Sequence, residues 1–211
     1  MSWAMRNGYR IVAVSGNTQQ PSRTLTLVKT LLDRLAAALP VDTHLVELGT
    51  LAPELGSVLS RAHATAAIET DLRSIETADA LLVASPVYRA SYTGLFKHLF
   101  DLVHHEALVD MPVLLAATGG SDRHALVIDH QLRPLFSFFQ AHTLPIGVYG
   151  TESDFCDYQI ASPTLHARID LAIARAATVI RVRRPELAAD DMLRTVVSPD
   201  AATAATFTQL G

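Results

Sequence analysis

The sequence predicts a doubly wound α/β fold, a five-stranded parallel sheet with helices on both faces. Three observations carry that expectation. Five short β-rich apolar runs recur along the chain, and near-continuous apolarity is the mark of strands buried on both faces. Segments with apolar residues at helical spacing lie between them. The two patterns alternate, and a strand that returns parallel to its predecessor needs such a crossover helix.

Each element has its own reason. The run Ile11-Val-Ala-Val14 places a first strand over Tyr9–Ser15. Leu25, Val28, Leu32, Leu35 and Leu39 share one helical face, which places a helix over Pro21–Leu39, stopped by Pro40. A second strand is expected over Thr43–Leu48, then a loop through Pro53 and Gly56, then a helix over about Thr65–Thr77. Ala80–Ser85 reads as the third strand and Gly94–Val103 as the helix after it. Pro112–Thr118 is the fourth strand, His124–Gln140 a helix, Thr143–Tyr149 the fifth strand and Ser162–Arg181 the last long helix. Five such units fit the flavodoxin-like strand order 2-1-3-4-5, a three-layer sandwich whose ligands bind at the carboxyl ends of the strands near the switch point. The segments after strands one, three and four therefore hold the candidate site.

At 211 residues the chain fits one domain, expected over residues 1–184. Pro185–Gly211 has weak periodicity and reads as a mobile tail or an arm. No stretch approaches the roughly 18 apolar residues of a membrane span, and the first residues lack a signal-peptide core. Cys156 is the single cysteine, which forbids an intrachain disulfide and points to a reducing cytoplasm. The formal net charge of -4, with no phosphate-tracking basic patch, argues against a nucleic-acid partner. Arg181, Arg183 and Arg184 read as a solvated helix end. His98, His104 and His105 lack metal-ligand spacing, so no metal is expected. Asp154 and Asp157 read as solvated loop carboxylates, and Cys156 lies in a polar loop without a partner thiol.

The turn Ser15-Gly-Asn-Thr-Gln-Gln-Pro-Ser-Arg-Thr24 joins the first strand to the first helix. It aims backbone N–H groups and the positive end of a helix dipole at one spot. It contains neither G-x-x-x-x-G-K-[ST] nor G-x-G-x-x-G, which argues against a nucleoside triphosphate and against a pyrophosphate on a glycine-rich turn. Hydroxyls with one arginine suit a terminal phosphate monoester such as that of FMN. The same residues would also serve an ordinary capped helix, with Pro21 in the first turn. Strand three ends in Ser85-Pro-Val-Tyr-Arg-Ala-Ser-Tyr-Thr-Gly94, where Pro86 enforces an extended, rigid turn. Strand four ends in Thr118-Gly-Gly-Ser-Asp122, and paired glycines permit close approach of a flat ligand. A phosphate subsite, a rigid backbone segment and a glycine-lined wall together describe a flavin mononucleotide pocket.

These three segments, with the run from Pro112 to Phe139, resemble the NAD(P)H-dependent FMN reductase family over residues 9–180. The likeness is greatest to the reductase components of two-component methanesulfonate and alkanesulfonate monooxygenase systems. The resemblance implies a flavodoxin-like fold and hydride transfer from NADH or NADPH to FMN. It implies that Ser15, Thr18, Ser22, Arg23 and Thr24 hold the phosphate. Pro86, Val87, Tyr88 and Arg89 would flank the isoalloxazine, and Thr118, Gly119, Gly120 and Ser121 would line its far edge. It further implies a π-bulge at His130, in the helix after Thr-Gly-Gly, at a subunit interface.

The residues add three expectations of their own. Apolar side chains nearly surround the helices 94–103 and 124–140, which suggests a homo-oligomer, dimer or tetramer. No Arg/Lys cluster awaits a 2′-phosphate, so NADH is favoured over NADPH. Hydride transfer needs no acid–base pair, and none stands out, with Arg89 and His130 the candidate modulators. The resemblance further implies that reduced flavin leaves for a separate monooxygenase in organosulfur assimilation. Two alternatives remain open here, a quinone or azo reductase with permanently bound FMN and a non-enzymatic flavin-binding electron carrier. Arg23, Arg89 and Arg123 speak against the carrier, whose flavin loops would be acidic.

Overall fold

The computed structural model describes residues 8–187, so most of the expected tail, from 188 to 211, lies outside the described residues. Three-layer α/β architecture is observed, with strand order β2-β1-β3-β4-β5. The parallel strands β1 (Tyr9–Ser15), β3 (Ala80–Pro86) and β4 (Pro112–Gly119) form the centre and are buried over nearly their whole length. At one side runs β2 (Val41–Glu47), whose residues are mostly exposed or half-buried, as suits an edge strand. Helices α1 (Arg23–Ala38) and α6 (Pro163–Arg183) cover one face through Leu27, Leu31, Ile169 and Ile173. The other face is covered by α2 (Leu48–Leu55), α3 (Ala66–Glu76), α4 (Gly94–Leu102), a π-helix (Ile128–Leu132) and α5 (Arg133–Phe138). Each fully buried Leu, Ile or Phe on these faces contributes on the order of 1.5–3 kcal/mol.

Sequence expectation and structure part at several places. Pro21 precedes α1 rather than entering it. Ser22 is the N-cap, its hydroxyl accepting from the Leu25 amide at 3.2 Å. The expected loop through Pro53 is helix α2, because Leu48, Leu51 and Leu55 all pack on the core and outweigh the proline. The fifth strand is broken into β5 (His142–Thr143) and β6 (Val148–Thr151), both paired with β4. Pro112 faces His142 while Ala116 faces Val148, so two extra residues bulge out between them. Pro145 lies in the bulge, where its missing N–H costs no ladder bond. Guanidiniums satisfy the flanking carbonyls, Arg133 at Leu144 (3.1 Å) and Arg168 at Gly147 (2.9 Å).

The helix expected over His124–Gln140 is segmented into a 3₁₀ turn (Asp122–His124), the π-helix and α5. The Arg133 amide reaches back to the Ile128 carbonyl, the wide spacing of a π-turn, and His130 lies within it. Cys156 is not in a loop but in a hairpin of β7 (Phe155–Cys156) and β8 (Gln159–Ile160), where it is exposed. Asp154 is not simply solvated. Burial pushes its carboxyl up, but hydrogen bonds from the Thr151 amide, the Ser162 side chain and the Thr151 hydroxyl hold it below its ordinary value. Nor are the terminal arginines of α6 free in solvent. Arg181 donates to the Ala38 carbonyl at 3.0 Å, Arg183 to the Asp110 carbonyl, and Arg184 pairs with Asp79 at 3.0 Å.

The apolar breadth of α4 and of the segmented helix is mostly explained inside one subunit. Phe96, Leu99, Phe100, Leu132, Leu135, Phe136 and Phe139 are all buried there. Phe138 and Leu126 remain 68% and 60% exposed.

Candidate flavin crevice at the strand ends

Register brings the three candidate segments together. Ser15 lies beside Ala84, Pro86 beside Thr118 and Gly119 beside Thr151, so β1, β3, β4 and β6 end at nearly one level. A cavity of about 280 Å³ opens there. Ser22, Arg23 and Thr24 line it from the first turn, Pro86, Val87 and Tyr88 from the second, and Thr118, Gly119 and Gly120 from the third.

The three turns are tied to one another. Thr24 and Thr118 hydroxyls lie 2.6 Å apart in a buried hydrogen bond. The Val87 amide donates to the Thr118 carbonyl at 2.8 Å. Thr93 caps α4 through its hydroxyl, which also donates to the Gly16 carbonyl at 3.0 Å. Gly16 has no room for a side chain, since a Cβ there would sit 2.9 Å from Phe96 and 3.0 Å from the Ala84 carbonyl oxygen. These cross-ties fix the crevice before any ligand arrives, which lowers the ordering cost of binding.

Four of the expected site residues stand elsewhere. Ser15 is fully buried, and its hydroxyl donates to the Asn17 side chain at 2.6 Å. Thr18, half-buried, does not line the cavity. Arg89 is exposed beyond the crevice. Ser121 turns its side chain outward and presents its carbonyl to the Tyr149 hydroxyl at 2.7 Å. Conversely, Asn17, Gln19 and Tyr158 line the cavity and were not expected to. Asn17 had a legible signal, for Asn commonly organises a turn through its side chain, and here its amide group donates to the Gln19 carbonyl at 3.1 Å. Tyr158 had none. It sits in the two-residue β7–β8 turn with Asp157, both at positive φ (47° and 63°), where sequence reading looks for glycine or asparagine.

Electrostatics divide the crevice. The first turn of α1 carries no acidic residue, so no carboxylate of its own competes for the helix's N-terminal amides and positive dipole end, which meet the cavity at Ser22–Thr24. Arg23 stands at this end, held 2.8 Å from Glu152 while one third exposed. That donor set suits a phosphate dianion. At the opposite wall a Cβ on Gly119 would lie 2.1 Å from the Tyr149 hydroxyl oxygen, so glycine keeps the wall flat. Burial, with Asp122 adding to it, raises Tyr149 above its ordinary value and keeps the phenol a proton donor.

The turn after Pro86 is strained. Arg89 and Ala90 have φ of 52° and 66°, the left-handed region, at the centre of a turn closed by Tyr88–Ser91 hydrogen bonds of 2.8 and 3.1 Å. Non-glycine residues held this way cost on the order of 1–3 kcal/mol each and gather at functional sites. A bond from the Ser91 hydroxyl to Gln131 of the π-helix (3.1 Å) braces the turn. The crevice therefore combines an anion-binding end, a flat backbone-lined slot and an open mouth beside Tyr88. Among the described residues no cluster of His, Cys, Asp and Glu is suited to a metal, and no helix is long and apolar enough to cross a membrane.

Known proteins match this arrangement. The NADPH-dependent FMN reductase family matches residues 9–155. The NADH-dependent FMN reductase SfnF of Pseudomonas fluorescens (strain Pf0-1) is 63% identical over 173 residues, 82% of this chain and 92% of its own. An FMN reductase (NADPH) of Pseudomonas aeruginosa PAO1 is 60% identical over 173 residues, 82% of this chain and 93% of its own. Among solved structures, an oxidoreductase from Corynebacterium diphtheriae superposes with a TM-score of 0.74 at 32% identity, covering 83% of this chain and 98% of that one.

Proposed function

The chain belongs to the NADPH-dependent FMN reductase family, and on that premise we propose that its crevice holds FMN while NADH or NADPH reduces it, the reduced flavin then leaving for a separate monooxygenase of sulfonate metabolism. The observation that carries this reading is the cavity at the ends of β1, β3 and β4, with an acid-free helix start and Arg23 at one end and Gly119–Gly120 at the other. Bound FMN supplies the redox chemistry by accepting a hydride. The protein's part is to bind and orient. The α1 start and Arg23 take the phosphate, and Ser22 adds a hydroxyl whose oxygen already caps Leu25. The backbone of Pro86–Tyr88 and the glycine wall hold the ring plane, leaving the mouth beside Tyr88 for the nicotinamide. Among the described residues the crevice stays open to solvent beside Tyr88, which suits a flavin that must depart.

The test is steady-state oxidation of NADH and NADPH by flavin-stripped protein with free FMN added. Saturable FMN-dependent turnover is expected. Tightly retained flavin with quinone turnover, or no oxidation of either donor, would refute the reading.

We further propose a homo-oligomer. Phe138 and Leu126 are the supporting exposures, and Phe138 borders a groove of about 620 Å³ with Tyr92, Leu102, Val103 and Leu135. Apolar patches of this kind on a soluble protein mark contact surfaces. Sedimentation of wild type is expected to give a dimer or tetramer, and Phe138→Ser a larger monomer fraction. An identical mass distribution would remove Phe138 from the contact. The exposed, unpaired Cys156 suits a reducing compartment, and the cytoplasm is the proposed location.

A further inference from the structure

The crevice continues past its phosphate end. A second space of about 220 Å³ lies there, and Arg23 and Tyr158 line both it and the crevice. Its remaining walls are Glu152, Phe155 and Asp157. We propose that this annexe sets flavin specificity: Glu152 and Asp157 repel a second phosphate, so the site accepts the monophosphate FMN and refuses the pyrophosphate of FAD. The proposal rests on the FMN reductase reading above and assigns residues to its choice of flavin.

Charge is the first support. Among the described residues lining the two spaces, Arg23 is the one cation, and Glu152 and Asp157 are the two carboxylates. Arg23 is already shared with Glu152 at 2.8 Å, and Asp157 makes no ion pair or hydrogen bond among the described residues. A first phosphate at the α1 start meets the helix amides, the Ser22 hydroxyl and Arg23. A second phosphate, one bridging oxygen further from the ring, passes Arg23 and meets both carboxylates. Like charges repel more strongly in a partly enclosed space than in bulk water. Room is not the obstacle, because the annexe (about 220 Å³) approaches the crevice itself (about 280 Å³) in size. The exclusion is therefore one of charge.

Rigidity is the second support, since a carboxylate that swings aside excludes nothing. Glu152 opens a 3₁₀ turn (Glu152–Asp154) closed by reciprocal hydrogen bonds between Thr151 and Asp154. The Asp154 carbonyl then accepts from the Ala161 amide at 2.8 Å and the Ser162 amide at 3.2 Å, which pins the base of the β7–β8 hairpin. Phe155 seats that base against Gly150, where a Cβ would lie 3.0 Å from its ring. At the tip, Asp157 and Tyr158 both hold positive φ, a conformation glycine would adopt without strain. Strain of this kind gathers at functional sites. Here it keeps a carboxylate and a phenol at the rim of the crevice.

The experiment is equilibrium dialysis of FMN, FAD and riboflavin against flavin-stripped protein, read by flavin absorbance. Wild type is compared with Glu152→Gln/Asp157→Asn, a nearly isosteric neutral pair in which asparagine tolerates the positive φ. Wild type is expected to bind FMN more tightly than FAD. The double variant should narrow that preference about tenfold, the scale of two like-charge contacts at an exposed site. Riboflavin, which has no phosphate, should bind both proteins equally. Asp157→Asn alone, a change at an exposed turn, should give part of the effect even if the double variant folds poorly. Equal binding of FMN and FAD by wild type, or an unchanged preference in the variants, would overturn the proposal. So would a rise in riboflavin affinity matching that of FAD, which would mean a loosened crevice rather than a removed charge. If Tyr158→Ala narrows the preference and the neutral variants do not, the exclusion is steric and the charge assignment fails. Wild type that binds FMN alongside any of these results leaves the reductase reading standing. Wild type that binds no flavin fails that reading instead.

Discussion

Arg23→Ala should weaken FMN binding by about ten- to a hundredfold, measured by quenching of flavin fluorescence on titration. The expected scale is that of a hydrogen bond to a charged group, about 1.5–3 kcal/mol, with tenfold per 1.4 kcal/mol. Arg23 is one third exposed, and solvent screening favours the lower end of that range. Glu152, at 2.8 Å, holds the guanidinium in place but also opposes an incoming phosphate. Glu152→Gln is therefore the informative companion. It keeps a hydrogen-bond partner for Arg23 and removes the opposing charge, so FMN affinity should hold or rise slightly. Arg23→Lys should recover part of the loss, because an ammonium supplies the charge without the planar fork. An Arg23→Ala protein that binds FMN within twofold of wild type would move the phosphate away from α1.

Phe136→Ala should cost about 3–5 kcal/mol of stability, the range for truncating a buried aromatic. Its ring is fully buried in α5 and meets Phe100 edge-on, with centroids 4.9 Å apart. Phe100 in turn lies 4.9 Å from Phe96, and Phe96 is the ring beneath Gly16 in the first turn. One aromatic stack thus joins the segment behind the π-helix to the floor of the crevice. At this chain length each kcal/mol shifts Tm by roughly 2–4 °C, so thermal melts should show a fall of roughly 6–20 °C. A fall of under about 1 kcal/mol would mean the surrounding core collapses into the space, and the stack would not then transmit rigidity to the site.

Legibility varied with the range of the interaction. Strands β1, β3 and β4 were readable because burial on both faces leaves an apolar run with no polar interruption at Ile11–Val14, Ala80–Ala84 and Val113–Ala117. Ser22, Arg23 and Thr24 were readable as crevice residues because the turn that carries them lies between a strand and its own following helix. The break in the fifth strand was not. Leu144 and Val148 are both apolar and buried, and only guanidiniums on other helices reveal that the carbonyls between them leave the ladder. The Ser15 hydroxyl, at the start of the same turn, is buried and donates to the Asn17 side chain instead of facing the cavity. Hydroxyl residues in a turn carry no sequence mark of which partner they choose.

The layer architecture and the three turns that meet at the crevice are legible in the chain because hydrophobic periodicity and turn chemistry are local properties, and the strand order followed only through the fold type that five such units fit. Tertiary structure decided the rest. Tyr158 reaches the cavity from a hairpin 135 residues beyond Arg23 (158 − 23). Glu152 fixes Arg23 across the sheet end, and the Ser91 hydroxyl reaches Gln131 of the π-helix. Each of these is a contact between residues far apart in the chain, whose meeting depends on register and packing that no local pattern encodes.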